Sequence, residues 1–175
     1  WGLDDQAQLR DFLTAQVQCK LGAGNLTLGA LRDRRGVTLR VCTSNLTLNR
    51  AEYFCADSHP DMSVVDACLM SMALPFVFVP HRFRDNGCVY VDGAFLDSFP
   101  ARDVDPETSL GIRLRWEVAT KLDSIDQYLS RVVFCALSFA ERSADVPEGM
   151  DVVDIDVGDV STVNFTLPEW SRAKL

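Results

Sequence analysis

The sequence predicts an α/β fold in which a sheet is flanked by helices. Segments rich in β-branched and aromatic residues alternate with segments whose apolar residues recur at helical spacing, the pattern of strands and helices packed in layers. The length of 175 residues suits one domain with a sizeable core. An apolar share of 47% places the chain among globular rather than disordered proteins. No repeat or low-complexity tract interrupts the pattern, so residues 1–175 read as a single domain.

The elements follow in order. Asp4 or Asp5 is placed to cap a helix whose Leu9, Phe12, Leu13, Val17 and Leu21 share one face, and Gly22 stands where a C-terminal glycine ends it. Thr27 caps a short helix through Leu31. Val37 to Thr43 reads as a strand bounded by Gly36 and by Ser44-Asn45, and Ala51 to Cys55 reads as a second strand that pairs with it or with a neighbour. Ser63 with Asp66 forms a Ser-x-x-Asp capping signature. Val64, Ala67, Cys68 and Ser71 then present small side chains that let a helix lie close to a sheet, and Pro75 stops that helix.

Val89-Tyr90-Val91-Asp92-Gly93-Ala94-Phe95 is a short strand that brings Asp92 to its tip, with a sharp turn at Gly93, which is free to take positive φ. Leu110 to Trp116 alternates apolar residues with Arg113 and Arg115 and reads as a half-exposed strand. Ile125 to Ala140 is helical with little polar face in its second half, which predicts a buried helix or one that meets an apolar surface. Asp151 to Val157 is a strand, and Pro168 begins a last helix.

Charge and composition exclude several roles. The net charge is -8, with acidic residues gathered near Asp151, Asp154, Asp156 and Asp159, which argues against nucleic acid as a partner and against electrostatic attraction to anionic membranes. The cysteines at 19, 42, 55, 68, 88 and 135 show no Cys-x-x-Cys pair or metal-ligand spacing and read as packed thiols of a reducing compartment. Asn-x-Thr sequons at Asn25, Asn45 and Asn164 point the other way; Asn45, following a core strand, is a poor acceptor. The longest apolar run, Val132 to Leu137, is far short of the roughly 18 to 20 residues of a spanning helix. With no signal peptide at its start, a cytoplasmic or peripheral membrane location is expected. Trp1-Gly2-Leu3 opens without Met, as expected of a piece of a longer protein. Neither a metal nor another cofactor is expected.

The candidate chemistry centres on Asp92. A carboxylate on a loop held by a rigid sheet can serve as a base or orienter, although Asp-Gly after a strand is by itself a plain turn. Its surroundings decide the reading. Upstream, the run from Ser63 to Pro80 contains a helix ending in Ser71-Met72-Ala73-Leu74-Pro75 and an apolar stretch that closes on Pro80; downstream lies Phe95-Leu96-Asp97-Ser98-Phe99-Pro100. This arrangement resembles the C-terminal half of a patatin-like phospholipase domain, most specifically over residues 63 to 100. Asn25-Leu26-Thr27-Leu28 and Thr162-Val163-Asn164-Phe165 with Pro168-Glu169 are similar to flanking elements of that family.

The resemblance implies a patatin-like three-layer sandwich, represented by its C-terminal part, and a serine hydrolase acting on lipid or phospholipid esters at a membrane surface. It implies that Asp92 is the dyad carboxylate that takes the serine proton, within the motif Asp92, Gly93 and Ala94. No serine in the chain has glycine at both minus two and plus two, and Gly22-Ala23-Gly24, the nearest thing to an oxyanion loop, falls between helices. The nucleophile is therefore expected from a missing N-terminal part of the same domain, and the chain alone is expected to be inactive. The alternatives are a non-catalytic lipid- or protein-binding module of that fold, or an unrelated α/β domain with a chance turn. His59 and His81 read as solvated surface, Ser71 as a packing residue, and Arg82 and Arg84 beside Asp85 as an exposed loop that could otherwise meet a phosphate head group.

Overall fold

The computed structural model describes residues 2–83, 86–101, 103–115 and 146–156, together with single helical positions at 125, 128, 131, 132, 135 and 139. They fall into two compact units, one made of residues 1–100 and 136–144 and one of 101–135 and 145–175.

The first unit begins with β1 (Gly2–Asp4), which pairs in parallel with β4 (Phe76–Phe78). Helix α1 (Ala7–Leu21) has Gln6 at its N-cap, with no side-chain cap bond, where Asp4 or Asp5 was expected; the aspartates instead brace the turn before it, the Asp5 carboxylate accepting the Ala7 N–H at 3.0 Å and Asp4 the Gln6 N–H at 2.6 Å. Gly22 ends the helix at φ 79°. The apolar stripe is only partly covered, with Leu9, Leu13, Val17 and Leu21 half-buried and Phe12 exposed.

Helix α2 (Leu28–Arg35) is capped by Thr27, whose hydroxyl accepts the Ala30 N–H at 3.2 Å. It runs past the expected end at Leu31 because Arg32, Arg34 and Arg35 are good helix formers whose charge suits a helix C-terminus. Gly36, at φ 64°, terminates it.

Strand β2 (Arg40–Asn45) is displaced from the expected Val37–Thr43: Ser44 and Asn45 lie inside it rather than in a turn. The reason is its central place. It pairs antiparallel with β3 (Arg50–Cys55) on one side and with β6 (Val89–Asp92) on the other, so its polar side chains find partners within the sheet. The Asn45 amide donates to the Tyr90 hydroxyl at 3.1 Å and the Ser44 hydroxyl donates to the Gly93 carbonyl at 3.2 Å. Strand β5 (His81–Arg82) completes the sheet, in the order β3-β2-β6-β5, all antiparallel.

Helix α3 (Val64–Ser71) packs on β2 and β6, and α1 packs on α3, so a helical layer covers one face of the sheet. Ser63 caps α3 by accepting the Asp66 N–H at 3.4 Å. Val64 and Ala67 of the small face are buried, while Cys68 and Ser71 are half-buried, and the helix ends at Met72, ahead of Pro75. Leu28, Phe54, Ala67, Met70 and Tyr90 are at the centre of the core. Fully burying side chains of this kind is worth about 1.5–3 kcal/mol each for the larger apolar ones, which is why the helix and sheet stay together.

In the second unit β7 (Leu110–Arg115) and β8 (Asp151–Asp156) form a parallel ladder, with Leu110 opposite Asp151 through Arg115 opposite Asp156. Arg113 holds Asp154 through two nitrogens at 2.6 and 3.1 Å. Trp116 and Val157, the expected last residues of these strands, lie outside the described residues, as do Thr162–Phe165 and the helix expected from Pro168. Most of the helix expected over 125–140 does so too; its described positions Ile125, Tyr128, Val132 and Phe139 are exposed, where burial was the first expectation. Among the described residues no helix is long and apolar enough to cross a membrane.

Candidate functional site

The site is built at the end of β6, where Thr43 of β2 stands opposite Asp92. Its form is set by Gly93. A sharp turn was expected there, with positive φ open to Gly93; the residue opens a 3-10 turn over Gly93–Phe95 without using the left-handed region. What requires glycine is close approach: a Cβ at this position would lie 2.4 Å from the Cys42 carbonyl oxygen and 2.8 Å from its carbon. The Gly93 carbonyl then accepts the Ser44 hydroxyl at 3.2 Å, the Asp97 N–H at 3.0 Å and the Leu96 N–H at 3.2 Å. The turn is thereby fastened to the central strand.

Asp92 is half-buried, and its backbone N–H donates to the Ala73 carbonyl at 3.0 Å in the segment after α3. One carboxylate oxygen accepts the Ala94 N–H at 2.8 Å. This is the carboxylate's one hydrogen bond among the described residues, so its other oxygen is open to a proton donor. Burial pushes the pKa above the ordinary aspartate value, and the Ala94 N–H offsets part of that rise. A desolvated carboxylate aimed by a single backbone donor is suited to take a proton from a hydroxyl.

Two residues beside Asp92 were not singled out by sequence reasoning. Asp97 is buried, 8% exposed, and accepts a hydrogen bond from the Tyr53 hydroxyl on β3. Cys42, opposite Tyr53 in the register, directs its thiol to the Asp97 carbonyl at 3.9 Å. Burial, and then the Asp97 charge, push that thiol up to about 12, so Cys42 is a packed neutral group and not a nucleophile.

The histidines are not the solvated surface residues expected. His59 stacks edge-on against Phe54 and Phe83, with ring centroids 4.6 and 5.7 Å away, and its Nδ1 is buried without a hydrogen-bond partner among the described residues. His81 meets the side-chain oxygen of Gln6 through Nε2 at 2.5 Å, and burial, followed by the Arg10 charge, lowers its pKa. Both face a cleft of about 910 Å³ that Arg10, Asp66 and Arg82 also line; Asp92 is not part of its wall. Arg82 is exposed and donates to the Gly87 carbonyl at 2.9 Å, while Arg84 and Asp85 lie outside the described residues.

None of the described serines is in an exposed strand-to-helix elbow. Ser44 is inside the sheet, Ser63 caps α3, and Ser71, as expected, is a half-buried residue at the end of that helix. No cluster of His, Cys, Asp or Glu that could hold a metal occurs among the described residues.

The model of the family described as patatin-like phospholipase matches residues 1–105, a span that includes Asp92 and its turn. A protein of Invertebrate iridescent virus 6, named probable lipid hydrolase 463L, is 25% identical over 99 residues, which are 57% of this chain and 33% of the viral one. Among solved structures, that of VipD from Legionella pneumophila aligns with 87% of this chain and 33% of its own, with a TM-score of 0.60 and 22% identity, a likeness of fold. The chain thus spans about a third of the length of each.

Proposed function

The chain belongs to the patatin-like phospholipase family, and from that premise we propose that it supplies the carboxylate of a Ser-Asp ester hydrolase acting on lipids. The observation that carries this reading is Asp92: half-buried, raised in pKa by burial, fixed through one oxygen by Ala94 and open at the other. The nucleophilic serine and the oxyanion loop come, on this reading, from sequence outside residues 1–175. As the serine oxygen bonds to the ester carbonyl carbon, its proton passes to Asp92; the same proton then goes to the departing alcohol as the tetrahedral intermediate collapses. No cofactor takes part. Both compact units belong to one patatin-like domain in this account, which the likeness to VipD over 87% of the chain supports. The substrate is a lipid or phospholipid ester, the lipid being in line with the name of the viral relative, and on this reading a cytoplasmic or peripheral protein meets it at a membrane surface.

A non-catalytic lipid- or protein-binding module is the second reading, favoured by the lack of any serine flanked by glycine at minus two and plus two. One experiment separates the two. In a protein that joins these residues to a Gly-x-Ser-x-Gly segment, Asp92→Asn keeps the shape and removes the proton acceptor. Loss of a general base costs about 10²- to 10⁴-fold in rate, so kcat should fall at least about 10²-fold with circular dichroism unchanged. A near-normal kcat would reduce Asp92 to a turn residue and sink the catalytic reading.

A further inference from the structure

We propose that Asp97 and Tyr53 form a clamp that aims Asp92, with Asp97 as a positioning residue that does not touch substrate. The inference rests on the reading of Asp92 as the base. A carboxylate only 8% exposed is costly to bury without a purpose and a partner. Three contacts of Asp97 reach different parts of the frame. Its N–H donates to the Gly93 carbonyl at 3.0 Å, closing the turn that follows Asp92. Its own carbonyl accepts the Cys42 thiol of β2, and its carboxylate accepts the Tyr53 hydroxyl of β3.

Tyr53 is itself held. It stands opposite Cys42 in the β2–β3 register, and the Arg40 guanidinium lies 4.2 Å from the centroid of its ring. The turn is therefore pinned at both ends, at Gly93 by its close approach to Cys42 and by the Ser44 hydroxyl, and at Asp97 by Tyr53. Between those pins lies the Ala94 N–H, the donor that orients the Asp92 carboxylate. Releasing the Asp97 end lets the 3-10 turn open and lets that donor drift, while the sheet, whose own ladder does not depend on Asp97, stays paired.

The test is amide hydrogen exchange at Ala94, followed by NMR on this chain, in Tyr53→Phe and Asp97→Asn. Tyr53→Phe keeps the ring over which Arg40 lies and removes only the hydroxyl. Exchange at Ala94 should quicken at least about 5-fold, the worth of one hydrogen bond, while the amides of β2 and β3 stay as slow as before. Asp97→Asn leaves an acceptor for Tyr53 and should hold Ala94 to within about 2-fold, well inside the value of one bond. Unchanged exchange at Ala94 in Tyr53→Phe overturns the proposal, and so does equal quickening of every amide. A Tyr53→Phe chain that does not fold overturns it as well, since the pair would then support the sheet and not one carboxylate. Because exchange needs no turnover, failure here is distinct from failure of the base reading, which would show as an active Asp92→Asn enzyme.

Discussion

Asp92 has a folded pKa above 3.8, its ordinary value, because burial disfavours the charged form. A carboxyl group raised in this way binds its proton more tightly in the folded chain than in the unfolded one. Its contribution to stability is present below pH 3.8, and it is lost as pH rises through the folded pKa. Above the folded pKa the ionised group thus works against the fold, as expected where a residue is set for chemistry and not for stability. Asp92→Asn is neutral at every pH and keeps an oxygen for the Ala94 N–H, so it should melt above the wild type at pH 7, with the margin closing as pH falls towards 3.8. Thermal melts across that range decide it; a margin independent of pH would mean that the carboxylate is not desolvated. At this scale the position of Asp92 was legible, since a β-branched run followed by Asp-Gly fixes a strand tip from local chemistry. The reason for Gly93 was not, because the Cys42 backbone that crowds it is distant in sequence. Asp97 and Tyr53 were hidden for the same cause: their hydrogen bond joins residues 44 apart.

Among the elements, the start of α1 is joined to its neighbours through Gln6. This residue is 1% exposed and holds φ 63°, a left-handed conformation uncommon outside glycine. Its amide nitrogen donates to the Leu69 carbonyl in α3 at 3.2 Å, which turns its oxygen towards His81 on β5 and makes the His81 Nε2 the donor. One side chain thus ties together α1, α3 and the edge strand. Gln6→Ala leaves the Leu69 carbonyl and the His81 nitrogen without that partner and should cost about 1–3 kcal/mol in urea unfolding. A loss of only a few tenths would show that water replaces the amide freely. Helix ends marked by Thr27, Ser63 and Gly22 were readable because caps and left-handed glycines act within a turn of the chain, whereas Gly36 was read as the boundary of a strand and not as the end of α2. The bounds of β2 were misread because Ser44 and Asn45 look like turn residues until β3 and β6 supply their partners.

Over the whole molecule, the balance between charge and uncovered apolar surface governs behaviour in solution. On the β7–β8 ladder Leu110, Ile112 and Leu114 alternate along one strand, and Val153 and Ile155 stand opposite Ile112 and Leu114 in register. All five are exposed, Leu110 and Ile112 by 63% and 60%, which makes a continuous apolar strip. The alternation in the sequence announced a two-faced strand, but pattern alone does not say which face is covered. A strip of this kind favours self-association of the isolated chain, and a net charge of -8 opposes it. Salt weakens only the second effect: the Debye length shrinks from about 30 Å at about 0.01 M to about 3 Å at about 1 M. Sedimentation velocity should therefore find the chain near its monomer mass at low salt and heavier at high salt. Ile112→Glu combined with Ile155→Glu breaks the strip and adds repulsion, and should flatten that dependence. A monomer at every salt concentration would show that the strip does not mediate contact between chains, whereas association that weakens with salt would place the contact on charged surface instead.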